Sequence, residues 1–191
     1  MKVGVLALQG AFREHEKILD ACGVEAAQVR KPQQLDNVSA LIIPGGESTT
    51  IGKLLIEFQL FESIVKLGRE GLPIFGTCAG LIMMAREIAG SAQPRLGLMD
   101  ICVERNAFGR QADSFEASLE IPAIGEQPFQ AVFIRAPYII ETGSGVEVLA
   151  RFQEKIVFAR QGRLLAAAFH PELTGDLRVH QYFLEKCVKA T

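Results

Sequence analysis

Three residues of the chain have the types and surroundings that nucleophilic catalysis needs. Cys78 stands in Gly76-Thr77-Cys78-Ala79-Gly80, between one apolar run and the start of another. This is the glycine–x–nucleophile–x–glycine pattern of a strand-to-helix elbow, with sulfur in place of the serine oxygen. A β-carbon at either glycine would crowd the neighbouring strand and helix, and so tight a turn lifts the sulfur clear of the sheet. An ordinary cysteine has a pKa of about 8.5, so only a few per cent is thiolate near neutrality. A helix N-terminus favours the thiolate, and an imidazolium favours it more. The base is expected in "AAAFHPEL" (166–173), where His170 and Glu172 flank Pro171. The residue before a proline is held extended, and in an extended segment residues i and i+2 point to one side. Glu172 is therefore expected to orient the imidazole and to stabilise its charged form. Cys22, Cys102 and Cys187 lie in plain helix or strand patterns and read as structural thiols. His15 and His180 lie within helix patterns and read as surface or packing residues.

A third segment, "IIPGGESTTIG" (42–52), ends an apolar run with two glycines and begins a helix. Its backbone N–H groups suit an oxyanion, with Gly46 and the N–H of Ala79 as the candidate donors. A phosphate loop is the rival reading of these residues. Against it, five residues separate Gly46 from Gly52, and Leu54 stands where Ser or Thr should follow the lysine.

These residues need a scaffold that brings strand ends together. "KVGVLAL" (2–8), "VEAAQV" (24–29), "SALIIPGG" (39–46) and "LPIFGT" (72–77) read as buried strands. "FREHEKILDACG" (12–23), 49–71 in two pieces, and 79–89 read as helices. Strand and helix in that rhythm make a parallel sheet covered on both faces. Ligands of such a sheet lie at the carboxyl ends of its strands, where Cys78 and the glycine segment fall. The second half offers "MDICVER", "SFEASLEI", "FQAVFIRA", "VEVLARF", "KIVFARQ" and "LLAAAFH" as short strands, expected to extend the sheet antiparallel, and 175–190 as a closing helix. The expected fold is α/β, a flavodoxin-like three-layer sandwich whose mixed, mostly parallel sheet carries an antiparallel extension.

Composition narrows the function. The 191 residues suit one domain spanning 1–191 rather than two, and 49% apolar content marks a folded chain. A net charge of −2 with scattered basic residues gives no stripe for nucleic acid or an anionic membrane. The apolar start is short and lacks a small-residue cleavage pattern, so it reads as a strand and not as a signal peptide. No apolar run approaches the roughly 18 residues of a membrane span. Four cysteines without C-x-x-C spacing and three scattered histidines make no metal pattern. Reduced thiols and a cytoplasmic location are expected.

A cysteine elbow followed far downstream by His-Pro-Glu resembles the class I glutamine amidotransferases. "LALQGAFREH", "PGGESTT", "GTCAGLI", "ERNAFGRQADSFE" and "FIRAP" together resemble the glutaminase subunits of pyridoxal 5′-phosphate synthases over essentially the whole chain. The resemblance implies hydrolysis of L-glutamine by Cys78 as nucleophile, His170 as general base and acid, and Glu172 as its orienting partner. No metal or organic cofactor is implied. Gly46, Glu47 and Ser48 match the family's glutamine-binding segment. Arg105 matches the arginine opening "RNAFGRQ", and Ile134 with Arg135 match a further substrate contact. The implied partner is a (β/α)₈-barrel synthase subunit that receives the ammonia, and Gln9 is the candidate residue for coupling to it. Three alternatives remain at this stage: the glutaminase of another synthase, such as that of histidine biosynthesis; a flavodoxin-like cysteine hydrolase or protease; and a non-catalytic module with a sensor thiol.

Overall fold

A computed structural model describes residues 1–105 and 114–189 of the chain. The first half alternates as its apolar pattern requires: β1 Lys2–Leu6, α1 Phe12–Ala21, β2 Glu25–Val29, β3 Ala40–Ile43, α2 Ser48–Glu57, α3 Phe61–Arg69, β4 Ile74–Thr77 and α4 Ala79–Met84. The rest is mostly strand: β5 Ala85–Ile88, β6 Met99–Glu104, β7 Ser114–Leu119, β8 Phe129–Ile134, β9 Tyr138–Thr142, β10 Glu147–Phe152, β11 Lys155–Gln161 and β12 Leu164–Ala167. Helix α5, Arg178–Phe183, then runs into a π-helical turn at Leu184–Val188.

The main sheet has the order β2-β1-β3-β4-β12-β11-β9-β6-β5, with β10 paired to β11. From β2 to β12 every ladder is parallel. From β12 through β11 and β9 to β6 the ladders are antiparallel. Every residue of β3 and β4 is buried, as strands covered on both faces must be.

Alternation along β4 fixes the layers. Phe75 meets His15 of α1 and His180 and Phe183 of α5 on one face. Gly76 faces the other way, where an added β-carbon would come within 2.7 Å of the Met84 sulfur of α4. Ile74 shares that second face, packed beneath Gly68 of α3. Helices α1 and α5 therefore cover one side, and α3 and α4 the other.

Several elements differ from the sequence reading. Residues 79–89 are not one helix, for α4 ends at Met84, and Ala85–Ile88 pair in parallel with β6. Ala, Arg, Glu and Ile are all compatible with helix, so the change is a tertiary one. The edge of β6 needs partners for its N–H and C=O groups, and 85–88 supply them. Strand β9 has no counterpart among the expected strands. Strands β7 and β8 form a separate two-stranded ribbon, not part of the extension. Its Phe115 and Phe133 stack on each other and on Phe152 of β10. The last strand stops at Ala167, three residues before His170. The closing helix starts at Arg178, whose N–H donates to the Asp176 carboxylate. Of the motif opening at Arg105, residues 106–113 lie outside the described residues, as does position 190 of the expected helix.

Candidate active site

The elbow forms as its glycines dictate. A β-carbon on Gly80 would lie 2.0 Å from the Ile43 carbonyl oxygen, and one on Gly76 would lie 2.5 Å from the Gly80 carbonyl carbon. Only bare glycines let α4 sit this close to β3 and β4. Between them Cys78 adopts φ 48°, ψ −101°, a conformation strained for any residue with a side chain. Packing holds it there, since the Cys78 N–H donates to the Ala167 carbonyl at 2.8 Å and the Cys78 carbonyl accepts from Ile82 at 3.3 Å. The thiol reaches the Ile134 carbonyl at 3.7 Å.

The bond to Ala167 ties the elbow to the segment carrying His170. Past Ala167 the chain leaves the sheet, and the His170 N–H donates to Val132 of β8 at 2.8 Å. The segment does not stay extended, because Pro171–Leu173 is a 3₁₀ turn. This turn, rather than strand alternation, brings Glu172 back beneath the ring, with Oε1 2.7 Å from His170 Nδ1. Burial works against a charge on His170. The hydrogen bond with Cys78, and the hydrogen bond and charge of Glu172, outweigh burial and raise its pKa to about 10. Burial likewise opposes the charge of Glu172. The neighbouring His15, then His170 and the backbone, outweigh it and hold the carboxyl below its ordinary range.

The glycine segment closes the other side. The N–H of Gly45 donates to Thr77 Oγ1 at 3.1 Å, and its carbonyl accepts from Ala11 at 3.0 Å. A β-carbon on Gly45 would come 2.3 Å from His170 Cε1 and 3.3 Å from Cys78 Cβ, so the backbone itself is packed against the imidazole. The N–H of Glu47 donates to Gln9 Oε1 at 2.8 Å. The Glu47 carboxylate caps α2, accepting from the N–H and hydroxyl groups of Thr49 and Thr50. Its partial burial opposes charge, yet those donors hold its pKa at about 2.

A cavity of 320 Å³ opens over these groups. It is lined by Cys78 and His170, by Gly46, Glu47 and Ser48, by Arg105, Ile134 and Arg135, and by Gln9. Glu172 is buried behind His170, and Ala79 is buried as the first residue of α4. The residues singled out in the sequence thus converge from six separate stretches of chain. Arg105 Nη1 donates to Gln93 Oε1 at 2.5 Å, the same oxygen that accepts from the Ser48 hydroxyl at 3.3 Å.

Four participants were not picked out from the sequence: Gln93, Thr77, His15 and His180. Thr77 and both histidines are fully buried. His15 Nε2 lies 3.1 Å from Thr77 Oγ1, and His15 Nδ1 lies 2.9 Å from His180 Nε2. Neither histidine is a surface residue. A signal was available for His15, whose spacing from Phe12 and Leu19 places it on the buried face of α1. A polar ring there requires partners.

The architecture and the elbow define the class. A solved structure described as "Crystal structure of glutamine amidotransferase" matches at TM-score 0.92 and 56% identity, over 97% of this chain and 98% of that one. The fold is the flavodoxin-like α/β fold of the class I glutamine amidotransferases. The chain belongs to the SNO glutamine amidotransferase family, whose profile matches residues 5–189. It is 80% identical over 190 residues to the pyridoxal 5′-phosphate synthase subunit PdxT of Pelotomaculum thermopropionicum, covering 100% of this chain and 97% of that protein. A subunit of the same name from Desulforamulus reducens is 65% identical over 185 residues, covering 97% of this chain and 98% of that protein. No helix among the described residues is long and apolar enough to cross a membrane.

Proposed function

We propose that this chain is the glutaminase of a pyridoxal 5′-phosphate synthase, hydrolysing L-glutamine to L-glutamate and ammonia within one glutaminase domain. The observation that carries the proposal is the junction of the strained Cys78 elbow, the His170–Glu172 pair and the Gly45–Ser48 backbone around one cavity. Kinship with subunits of that name supports the choice of synthase.

In the reaction, the Cys78 thiolate attacks the side-chain carbonyl carbon of glutamine. The carbonyl oxygen becomes an oxyanion held by the N–H groups of Gly46 and Ala79. His170, charged through its contacts with Glu172 and Cys78, gives its proton to the departing amide nitrogen, and ammonia leaves. The γ-glutamyl thioester remains on the sulfur. Neutral His170 then takes a proton from water, and the hydroxide attacks the thioester. The tetrahedral adduct collapses to glutamate and regenerates the thiolate. Arg105 and Arg135 suit the α-carboxylate of the substrate, and the Ile134 carbonyl suits its α-ammonium.

Ammonia must be used before water protonates it, so the reading includes a (β/α)₈-barrel synthase subunit covering the cavity. Gln9 is suited to the coupling, since its side-chain oxygen holds the Glu47 N–H immediately after Gly46. Movement of Gln9 on docking would release the Glu47 N–H and loosen the Gly46–Glu47 peptide, letting the Gly46 N–H that precedes it adjust toward the oxyanion. The cytoplasm is the expected compartment. The test is steady-state glutamate release with and without the barrel subunit. Turnover should rise roughly tenfold or more on adding it, about 1.4 kcal/mol in the barrier. Full turnover by the isolated chain would remove the coupling, and no turnover in either condition would remove the proposal.

A further inference from the structure

Behind the proposed triad lies a second group of buried polar side chains that the reaction itself does not touch. Thr77, His15 and His180 are each fully buried, set against Phe75 and Phe183. Burying uncompensated polar groups is costly, and an apolar core would be cheaper here. Each contact in the group points toward the site. His180 Nε2 meets His15 Nδ1, and His15 Nε2 meets Thr77 Oγ1. Thr77 directly precedes the nucleophile and accepts the N–H of Gly45. The second oxygen of Glu172, Oε2, has no hydrogen-bond partner among the described residues, and His15 Nε2 lies 3.5 Å from it.

The contacts select one tautomer for His15. A lone pair at Nε2 would face the Glu172 carboxylate, and the proton at Nδ1 would then require His180 to accept at Nε2. That leaves His180 Nδ1 carrying a proton with no acceptor among the described residues. With the proton on His15 Nε2 every group is better served. His180 Nε2–H donates to His15 Nδ1, His15 Nε2–H is directed at Thr77 Oγ1 with Glu172 Oε2 close by, and His180 Nδ1 keeps only a bare lone pair. Burial lowers the pKa of both rings, so they are neutral near pH 7. The same helix holds Gly45 from its other side, through the N–H of Ala11 at its N-cap. Both backbone polar groups of Gly45 are thereby tied to α1, the carbonyl directly and the N–H through Thr77 and His15.

We infer that His15 is a positioning residue of the glutaminase site: aimed by His180, its Nε2–H binds Thr77 and faces the free oxygen of Glu172, locking nucleophile turn, glycine segment and His170–Glu172 pair into one frame. Carboxylate–histidine pairs depend on such outer contacts for their orientation. The inference rests on the proposed triad, and its test separates the two.

Asn and Gln at position 15 distinguish the two ring nitrogens. An Asn amide nitrogen falls near the place of Nδ1 and a Gln amide nitrogen near that of Nε2, so only Gln restores a donor facing Thr77 and Glu172. Glutaminase kinetics with the barrel subunit present should show kcat reduced about tenfold or more in His15→Asn, with KM for glutamine changed by no more than about twofold, and largely restored in His15→Gln. In a Glu172→Gln background His15→Asn should cost little further, because coupled residues are not additive. Equal kcat in the Asn and Gln variants, or losses that multiply with Glu172→Gln, would overturn the inference. Should His15→Asn fail to fold, His180→Leu against His180→Gln carries the same question: Gln restores the Nε2 donor and should retain the higher kcat, and equal values refute the role. Activity surviving in Cys78→Ala would instead refute the triad.

Discussion

Thr77→Val tests whether the elbow and the glycine segment are held by one hydroxyl. Valine matches threonine in shape, so packing is retained and only the oxygen is lost. That oxygen accepts the Gly45 N–H at 3.1 Å and meets His15 Nε2 at 3.1 Å, at a site with no exposure to water. Two buried donors lose their acceptor together. An unsatisfied buried group costs about 1–3 kcal/mol, and Glu172 Oε2 lies close enough to His15 to recover part of the second. The expected destabilisation is about 2–4 kcal/mol. For a chain of this size that lowers Tm by roughly 4–16 °C, at about 2–4 °C per kcal/mol. Thr77→Ser keeps the oxygen and removes one methyl group, costing about 1 kcal/mol. Thermal unfolding followed by circular dichroism measures both variants. Glutamate release at temperatures where both are folded should fall further in the valine variant, because Gly45 is free to drift from Cys78. A valine variant as stable as, or more stable than, the serine variant would refute the reasoning.

Further outcomes follow from the same geometry. Gly45→Ala puts a β-carbon against the His170 ring and should abolish turnover while the chain still folds; near-normal kcat would show that the backbone is not packed on the imidazole. His170→Asn should lose roughly 10²–10⁴-fold in turnover and Glu172→Gln less, since the base remains but is poorly oriented; near-normal turnover in His170→Asn would place the base elsewhere. Stability should fall on both sides of neutrality. The folded-state pKa values of His15 and His180 are lowered from 6.5 by burial, so the unfolded chain takes up protons that the folded chain refuses, and stability drops as pH falls below about 6.5, by at most about 1.4 kcal/mol per pH unit for each ring. His170 is raised, so its contribution is complete below about 6.5 and is lost as pH climbs toward about 10. His180→Phe should flatten the acid side of a plot of Tm against pH, and an unchanged acid slope would contradict the buried-neutral assignment.

The parallel half of the fold was legible because its signals are local. Short, largely apolar runs between helical patterns gave β1 to β4, and the break expected within 49–71 is found between Glu57 and Phe61, with Gln59 at φ 59°. The elbow was legible because Gly76 and Gly80 serve a steric need visible in five letters. The antiparallel half was less so, since which strand takes which edge depends on pairing across long stretches. Nothing in "AREI" distinguishes the end of a helix from a strand on β6. Glu172 was found through an extended geometry that the chain does not adopt, although the proximity itself holds. His15, Thr77 and His180 stayed hidden for another reason. Each is one polar letter in an apolar pattern, and their meeting depends on α1, β4 and α5 packing together, which no spacing encodes.

The central claim is that Cys78 carries the γ-glutamyl group. The direct measurement is mass spectrometry of the chain, with the barrel subunit present, after reaction with a glutamine-analogue electrophile such as 6-diazo-5-oxo-norleucine. The account predicts a single adduct on Cys78, suppressed by excess glutamine and absent from Cys78→Ala, with Cys22, Cys102 and Cys187 unmodified. An adduct on any of those three in place of Cys78, or labelling that glutamine does not suppress, would contradict it.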